Sequence, residues 1–181
     1  MDAGAGPGRS SFVLAEVFKH VETFDYSYGF IDMLHKKKPE MLSKEIADRI
    51  IGYQGDAHEF KKIARKEHYN LIFNCNLIDR LYNPKTFVEQ AVDLLTPGDG
   101  VLIISSPYTW KTEHTKIQDW IGGKHVDGEP YRTEDGLKDM ISKYSNGKVT
   151  WFKTVKVPFV IPDSDGTFQF TFSNCTVFTN K

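Results

Sequence analysis

Two stretches of this 181-residue chain carry groups arranged for chemistry. The first is "DAGAGPGRSSF" at residues 2–12, where Gly4, Gly6 and Gly8 alternate with small residues between Asp2 and Arg9. A glycine-rich turn that opens a helix aims free backbone N–H groups at a ligand. An acidic residue about 20 positions further on, at a strand end, then reaches a ribose hydroxyl, and Asp25 stands there. The second stretch is "NCNLIDRLYNP" at residues 74–84. It follows a buried strand and is dense in polar groups that a core does not select, so a polar ligand is read there.

The glycine turn admits two ligands that share an adenosine ribose, a dinucleotide and S-adenosylmethionine. A dinucleotide site needs G-x-G-x-x-G, and Gly4 and Gly6 are followed by Gly8 and Arg9, so the third glycine is out of place. Asp2, two residues before the first glycine, repels a pyrophosphate and suits the α-ammonium of a methionine moiety. S-adenosylmethionine is the better fit.

These residues need a scaffold, and the hydrophobic pattern supplies an alternating one. Ser10 and Ser11 are expected to cap a helix with Phe12, Leu14, Ala15, Val17 and Phe18 on one stripe, and His20 to Phe24 follows as a strand. A helix is expected around Tyr28 to Leu34, with His35-Lys36-Lys37-Lys38 as a solvated end and Pro39 as its stop. "RIIGYQGDAHEF" reads as a strand from Ile50 to Gln54, then Asp56, then a helix. Leu71-Ile72-Phe73 and Val101 to Ile104 are apolar runs of the kind buried on both faces of a parallel sheet. Between them Asn83 and Pro84 start a helix whose buried side runs from Phe87 to Leu95, ended by Pro97-Gly98. Thr133 to Tyr144 is a further helix, and Trp151 to Ile161 and Phe168 to Phe178 form an antiparallel hairpin around "PDSDG", with Phe168, Phe170 and Phe172 on one face.

Strand and helix alternation predicts an α/β sandwich around a mostly parallel sheet with a C-terminal antiparallel hairpin. No apolar strand precedes the glycine turn, so the central first strand is expected to be missing and its neighbours to be left with unpaired backbone groups. The polar and aromatic segment from 105 to 132 follows a strand's carboxyl end and is too long for an ordinary connection. It is expected to be a lid or substrate-recognition insertion, with simple decoration as the alternative.

Composition narrows the partners. The chain has 23 Lys+Arg against 24 Asp+Glu, a net charge of −1, and is 40% hydrophobic. It suits one domain spanning residues 1–181, and no positive field points to nucleic acid or an anionic membrane. No apolar run approaches the roughly 20 residues of a membrane span and no signal peptide opens the chain, so a cytoplasmic location is expected. Cys75 and Cys175 are expected to be reduced core thiols, and His58, His68, His114 and His125 form no compact ligand motif, so no metal is expected.

The strand–helix order ending in a hairpin resembles the class I methyltransferase fold over nearly the whole chain. By that resemblance Gly4, Gly6 and Gly8 let the backbone approach S-adenosylmethionine, and Arg9 pairs with its carboxylate. Asp25, with Tyr26 beside it, holds the ribose, and Asp56 with Ala57 meets the adenine. Taken with "LLTPGDGVLIISSPYTW" and "DWIGG", the two opening stretches resemble the methyltransferase domain of ovothiol synthases, which methylates the π nitrogen of 5-thiohistidine. "NLIDR" is also similar to an element of protein histidine Nπ-methyltransferases, whose Asn and Asp bind the imidazole. Carried over, these are Asn76 and Asp79, with Tyr108 and Trp110 walling the substrate pocket. Such synthases also carry an iron-dependent sulfoxide synthase region, for which this chain has no matching motif, so an N-terminal partner region of a longer protein is implied.

The chemistry suits that pairing. A carboxylate accepting from one imidazole N–H fixes the tautomer and leaves the other nitrogen's lone pair to attack a sulfonium methyl. Simpler readings stand beside each assignment: an Asp79–Arg80 ion pair, Asp56 as a helix cap and Arg9 as a solvent-exposed first-turn residue. Rival functions are a protein histidine methyltransferase, a dinucleotide oxidoreductase and an inactive module of the same fold.

Overall fold

The apolar runs at 71–73 and 101–104 become neighbouring central strands whose inward residues Ile72, Leu102 and Ile104 are fully buried. The computed structural model describes residues 1–162 and 165–181. The chain order is β1 (Asp2–Ala3), α1 (Arg9–Val17), β2 (Val21–Asp25), α2 (Tyr28–Met41), α3 (Lys44–Ala47), β3 (Ile50–Gln54), α4 (Phe60–Ile63), β4 (Leu71–Cys75), α5 (Pro84–Asp93), β5 (Val101–Ser106), β6 (Lys124–Val126), β7 (Glu129–Tyr131), α6 (Thr133–Tyr144), β8 (Val149–Pro162) and β9 (Phe168–Asn180). A seven-stranded sheet runs β3-β2-β1-β4-β5-β9-β8. Its first five strands are parallel, and β9 runs antiparallel to both its neighbours, β5 and β8.

The first strand is short rather than missing. Two residues of β1 pair on both sides, Asp2 and Ala3 with Thr23 and Phe24 of β2 and with Phe73 and Asn74 of β4. The Met1 amino group donates to the Leu71 carbonyl at 2.7 Å, and Phe73 N–H donates to the Met1 carbonyl at 2.9 Å. These contacts give β2 and β4 the backbone partners that an absent strand would have denied them.

Ser10 and Ser11 do not cap α1. Gly8 is the cap residue, at φ 95°, and both serines sit in the first turn, where a buried carboxylate draws their hydroxyls. Of the expected stripe, Phe12 and Ala15 are buried, whereas Val17 ends the helix in solvent. Helix α2 continues past Leu34 and carries Pro39 inside it, with Ser27 accepting from Phe30 N–H at its start. The bond that Pro39 cannot make leaves the exposed His35 carbonyl to water, so the cost of proline falls in the last turn.

Helix α5 starts as expected, with Asn83 accepting from Thr86 N–H and Pro84 in the first turn. It stops at Asp93, before Pro97, because the next residues change partner. The Leu94 carbonyl accepts from Tyr69 N–H and Thr96 N–H donates to the Tyr69 carbonyl, which keeps Leu94 and Leu95 buried outside the helix.

The 105–132 insertion folds into a short 3₁₀ turn at Ile117–Asp119 and the β6–β7 hairpin. The turn of the C-terminal hairpin includes residues 163 and 164, which lie outside the described residues. Phe168, Phe170 and Phe172 share a face but are exposed, because β8 and β9 extend beyond the pairing with β5. No helix among the described residues is long and apolar enough to cross a membrane.

Candidate functional site

Parallel strands end at one edge of the sheet, and the turns leaving β1, β2 and β3 converge there on a cavity of about 480 Å³. In an open α/β sheet this is the edge where ligands sit. Gly4, Asp25, Tyr26, Asp56 and Ala57 all line it, so three turns far apart in sequence bring these expected residues together. Gly4 has φ 75°, and a Cβ there would lie 2.8 Å from Leu77 Cδ2, so the turn can pass this close only as glycine.

Asp25 holds the turn as well as facing the cavity. One carboxylate oxygen accepts from Gly6 N–H and the other from Ser27 N–H, each at 2.9 Å. Asp2 is 1% exposed, and its Oδ2 accepts from the Ser10 and Ser11 hydroxyls at 2.7 and 2.6 Å. Its Oδ1 is buried with no hydrogen bond among the described residues. Burial pushes this carboxyl above the usual carboxylate range, against the lowering effect of the two serines. A buried acid with an orphaned oxygen beneath a glycine turn fits a cationic ligand group.

Gly6 and Arg9 line a separate groove on the other side of Gly4, with Val13, Phe73 and Cys75, rather than the cavity itself. Gly8 lines neither, and serves as the helix cap. Arg9 is exposed.

Asp56 is both a cap and a cavity wall. Its carboxylate accepts from His58 N–H at 2.9 Å and contacts His58 Nδ1 at 2.7 Å. Because Asn83 N–H donates to His58 Nε2 at 3.1 Å, the ring proton sits on Nδ1 and points at Asp56. Burial alone raises the Asp56 carboxyl, and the bonds from His58 outweigh it and hold it below the usual range. Tyr82 stacks on His58 with ring centroids 3.5 Å apart.

His58, Leu77, Arg80, Leu81, Tyr82, Glu113 and His114 also line the cavity, with Phe24 and Gly55, and sequence reasoning did not place them there. Only "GDAHEF" and the basic and aromatic residues of "DRLYNP" signalled any of them. Glu113 and His114 bring the 105–132 insertion over this first cavity, where Thr115 Oγ1 donates to the Leu81 carbonyl at 2.6 Å.

A second, more open cleft of about 520 Å³ lies beyond the end of β5. Tyr108, Thr109 and Trp110 line it together with Trp120, Arg132, Glu134, Lys156 and Asn174. Trp110 stacks with Trp120 at 6.4 Å and donates through Nε1 to Thr133 Oγ1 at 3.0 Å, which fixes that wall. Burial pushes the Tyr108 phenol above its usual value.

Neither Asn76, which is exposed, nor the buried Asp79 lines the cavity or the cleft itself; each is held by residues at or beside their walls. Asn76, at φ 54°, leaves the end of β4 in a left-handed conformation that asparagine tolerates. Its Oδ1 accepts from Ser173 Oγ at 3.0 Å, and Ser173 adjoins the cleft residue Asn174. Asp79 is 1% exposed. Its Oδ2 accepts from Thr109 N–H at 2.9 Å, Thr109 Oγ1 at 3.1 Å and Arg80 Nη1 at 3.2 Å. The Arg80 ion pair is therefore present, and it engages the same oxygen as Thr109. Oδ1 makes no hydrogen bond among the described residues. Arg80 faces the first cavity and Thr109 the second, so Asp79 is tied to both walls.

Asn74, two residues before Asn76, is fully buried, and neither polar atom of its amide is paired among the described residues. Its only sequence signal was a polar residue inside an apolar run.

The family model described as "Methyltransferase domain" matches residues 1–150. No curated protein sequence matches the chain. Among solved structures, the magnesium protoporphyrin IX methyltransferase of Synechocystis with bound SAM superposes with a TM-score of 0.65 at 14% identity, covering 99% of this chain and 68% of that one. The CcbJ methyltransferase of Streptomyces caelestis gives 0.64 at 14% identity, covering 99% and 82%. A structure described for conversion of a disulfide bond into a thioacetal group in echinomycin biosynthesis gives 0.67 at 16% identity, covering 99% and 73%. At these identities the likeness is one of fold.

Proposed function

Because the chain belongs to the methyltransferase domain family, we infer that it uses S-adenosylmethionine to methylate the π nitrogen of an imidazole, with 5-thiohistidine as the acceptor. The observation that carries the acceptor reading is the buried Asp79 carboxylate. It is anchored through Oδ2 alone, between a cavity suited to a nucleoside and an aromatic cleft.

In the first cavity Asp25 is placed to receive the ribose hydroxyls, Tyr26 flanks them, and Asp56 with Ala57 meets the adenine. Gly4 lets the backbone approach; Asp2 lies buried outside the cavity lining, and its orphaned Oδ1 favours the α-ammonium through the turn above it. When bound, S-adenosylmethionine supplies a methyl group on a positively charged sulfur. The protein's task is then alignment, which can supply much of the acceleration of a two-partner reaction.

On the acceptor side, Asp79 Oδ1 takes the τ N–H of a neutral imidazole and so fixes the tautomer whose π nitrogen keeps its lone pair. Its three donors on Oδ2 hold the carboxylate still while it does so. Asn76, with its oxygen bonded to Ser173, presents its amide N–H groups to the acceptor. Tyr108 and Trp110 wall the ring on the cleft side. Asp79 orients and keeps its charge; the proton leaves the methylated ring to solvent.

Incubation with S-adenosylmethionine and 5-thiohistidine is expected to give one N-methylated product, lost in Asp79→Ala. Methylation confined to histidine-containing peptides would assign the site to a protein histidine methyltransferase instead.

A further inference from the structure

The second cleft carries charges that methyl transfer does not use. Glu134 lies on the first turn of α6, and its Oε1 accepts from Asn174 Nδ2 at 2.7 Å. Arg132 precedes that helix and Lys156 reaches the cleft from β8. Among the described residues, none of these three side chains enters an ion pair. One carboxylate and two cations thus line one wall region of a cleft whose other walls are Tyr108, Trp110 and Trp120.

Two residues that line the same cleft connect it to the proposed imidazole-reading pair, which does not itself line it. Thr109, which lines it, bonds Asp79, and Asn174, which lines it, follows the Ser173 that bonds Asn76. The three charged side chains thus share a cleft with the residues that hold Asp79 and adjoin the partner of Asn76, on the side where the rest of a ligand read by that pair would extend.

We propose that Glu134, Arg132 and Lys156 form the seat for the zwitterionic head of a free α-amino acid, Glu134 receiving the ammonium and Arg132 with Lys156 the carboxylate. The inference rests on the reading of the acceptor as an imidazole amino acid. It adds which residues select the free form: a histidine within a peptide carries neither charge at that carbon, and the seat's groups would be left unpaired against it. Both signs at one place match a zwitterion better than an anion or a cation alone. The seat is partly open to solvent, so each charge pair contributes modest discrimination, on the order of tenfold in affinity.

The test is equilibrium binding to the protein loaded with S-adenosylhomocysteine. The probes are 5-thiohistidine, its Nα-acetyl derivative, its carboxamide and a short histidine-containing peptide. Wild-type protein is compared with Glu134→Gln and with Arg132→Gln combined with Lys156→Gln, and melting temperatures confirm folding. In the wild type each cap is expected to weaken binding about tenfold. Glu134→Gln abolishes the penalty for acetylation and the double variant the penalty for amidation. The amide oxygen introduced by Glu134→Gln can still accept from Asn174, so a purely structural role of Glu134 would leave the acetylation penalty intact and overturn the seat. Capped ligands or the peptide binding as tightly as the free amino acid would also overturn it. If the free form is preferred and the penalties vanish as stated, yet no probe is ever methylated, the seat stands and the methyl-transfer reading falls.

Discussion

Thr109 donates twice to one oxygen of Asp79, from its backbone N–H at 2.9 Å and from its hydroxyl at 3.1 Å. This pair ties the turn after β4 to the start of the 105–132 insertion, and it leaves the other oxygen of a buried carboxylate without a hydrogen bond among the described residues. Hydrogen bonds to a charged group contribute about 1.5–3 kcal/mol each. Thr109→Val keeps the backbone donor and removes the hydroxyl, so it is expected to lower stability by about 1–2 kcal/mol and to reduce kcat by loosening Asp79. Asp79→Asn, which removes the charge, is expected to cost about 10²-fold in turnover with S-adenosylmethionine affinity unchanged. Calorimetric titration alongside a turnover assay checks the split; loss of cofactor affinity would place Asp79 in the wrong half of the site.

Asp25 joins the two turns of the cofactor cavity through Gly6 N–H and Ser27 N–H. Asp25→Asn can accept only one of these bonds through oxygen and loses the charge toward the ribose. S-adenosylhomocysteine affinity is expected to fall roughly tenfold to a hundredfold, the equivalent of one charge-assisted bond. Unchanged affinity by titration calorimetry would exclude Asp25 from the ribose.

Asp2 makes the ligand-free protein sensitive to pH. Burial raises its carboxyl from the ordinary 3.8 in the folded state. The folded protein then holds its proton where the unfolded chain has released it, so stability falls as pH rises from 3.8 through the raised folded value. Asp2→Asn removes that dependence. Its melting temperature in the absence of ligand is expected to exceed that of the wild type at neutral pH, with the difference shrinking toward acid, while S-adenosylmethionine binding weakens. A variant less stable than the wild type at neutral pH would show that the carboxylate is already satisfied.

Gly4 and Gly6 separate conformational strain from steric contact. Both have positive φ, 75° and 54°, but a Cβ on Gly4 meets Leu77 at 2.8 Å, whereas one on Gly6 meets nothing within 4 Å. Gly6→Ala is expected to cost about 1–2 kcal/mol. Gly4→Ala is expected to cost more and to weaken cofactor binding by driving Leu77 into the cavity. Chemical denaturation with parallel titration ranks the two; equal effects would mean that Leu77 gives way freely.

Elements with a local signature were legible in the sequence. The apolar period and acidic first turn of α6 and the β-rich run at Ile50–Gln54 need no distant partner to be read. Helix α2 passes its expected stop because Pro39 falls in its last turn, whereas the other misread ends depend on tertiary contacts. Ser10 and Ser11 turn toward Asp2, α5 stops where Leu94 and Thr96 pair with Tyr69, and the two residues of β1 show as a strand only through their pairing with β2 and β4. The site divides in the same way. Gly4, Asp25 and Asp56 follow strand ends and so declare themselves, whereas His58, Tyr82, Glu113 and His114 reach the cavity only when three loops close on one another. For Arg9 the simpler of the two readings, a solvent-exposed first-turn residue, is the one the structure shows, with the residue beside the groove rather than the cavity.

The position of the transferred methyl tests the account most directly. Product formed from S-adenosylmethionine and 5-thiohistidine is resolved by heteronuclear NMR, which distinguishes methylation at the π nitrogen, the τ nitrogen and the sulfur. With Asp79 holding the τ N–H, the methyl is expected on the π nitrogen alone. A methyl on sulfur or on the τ nitrogen would contradict the orientation that Asp79 and Asn76 are proposed to impose.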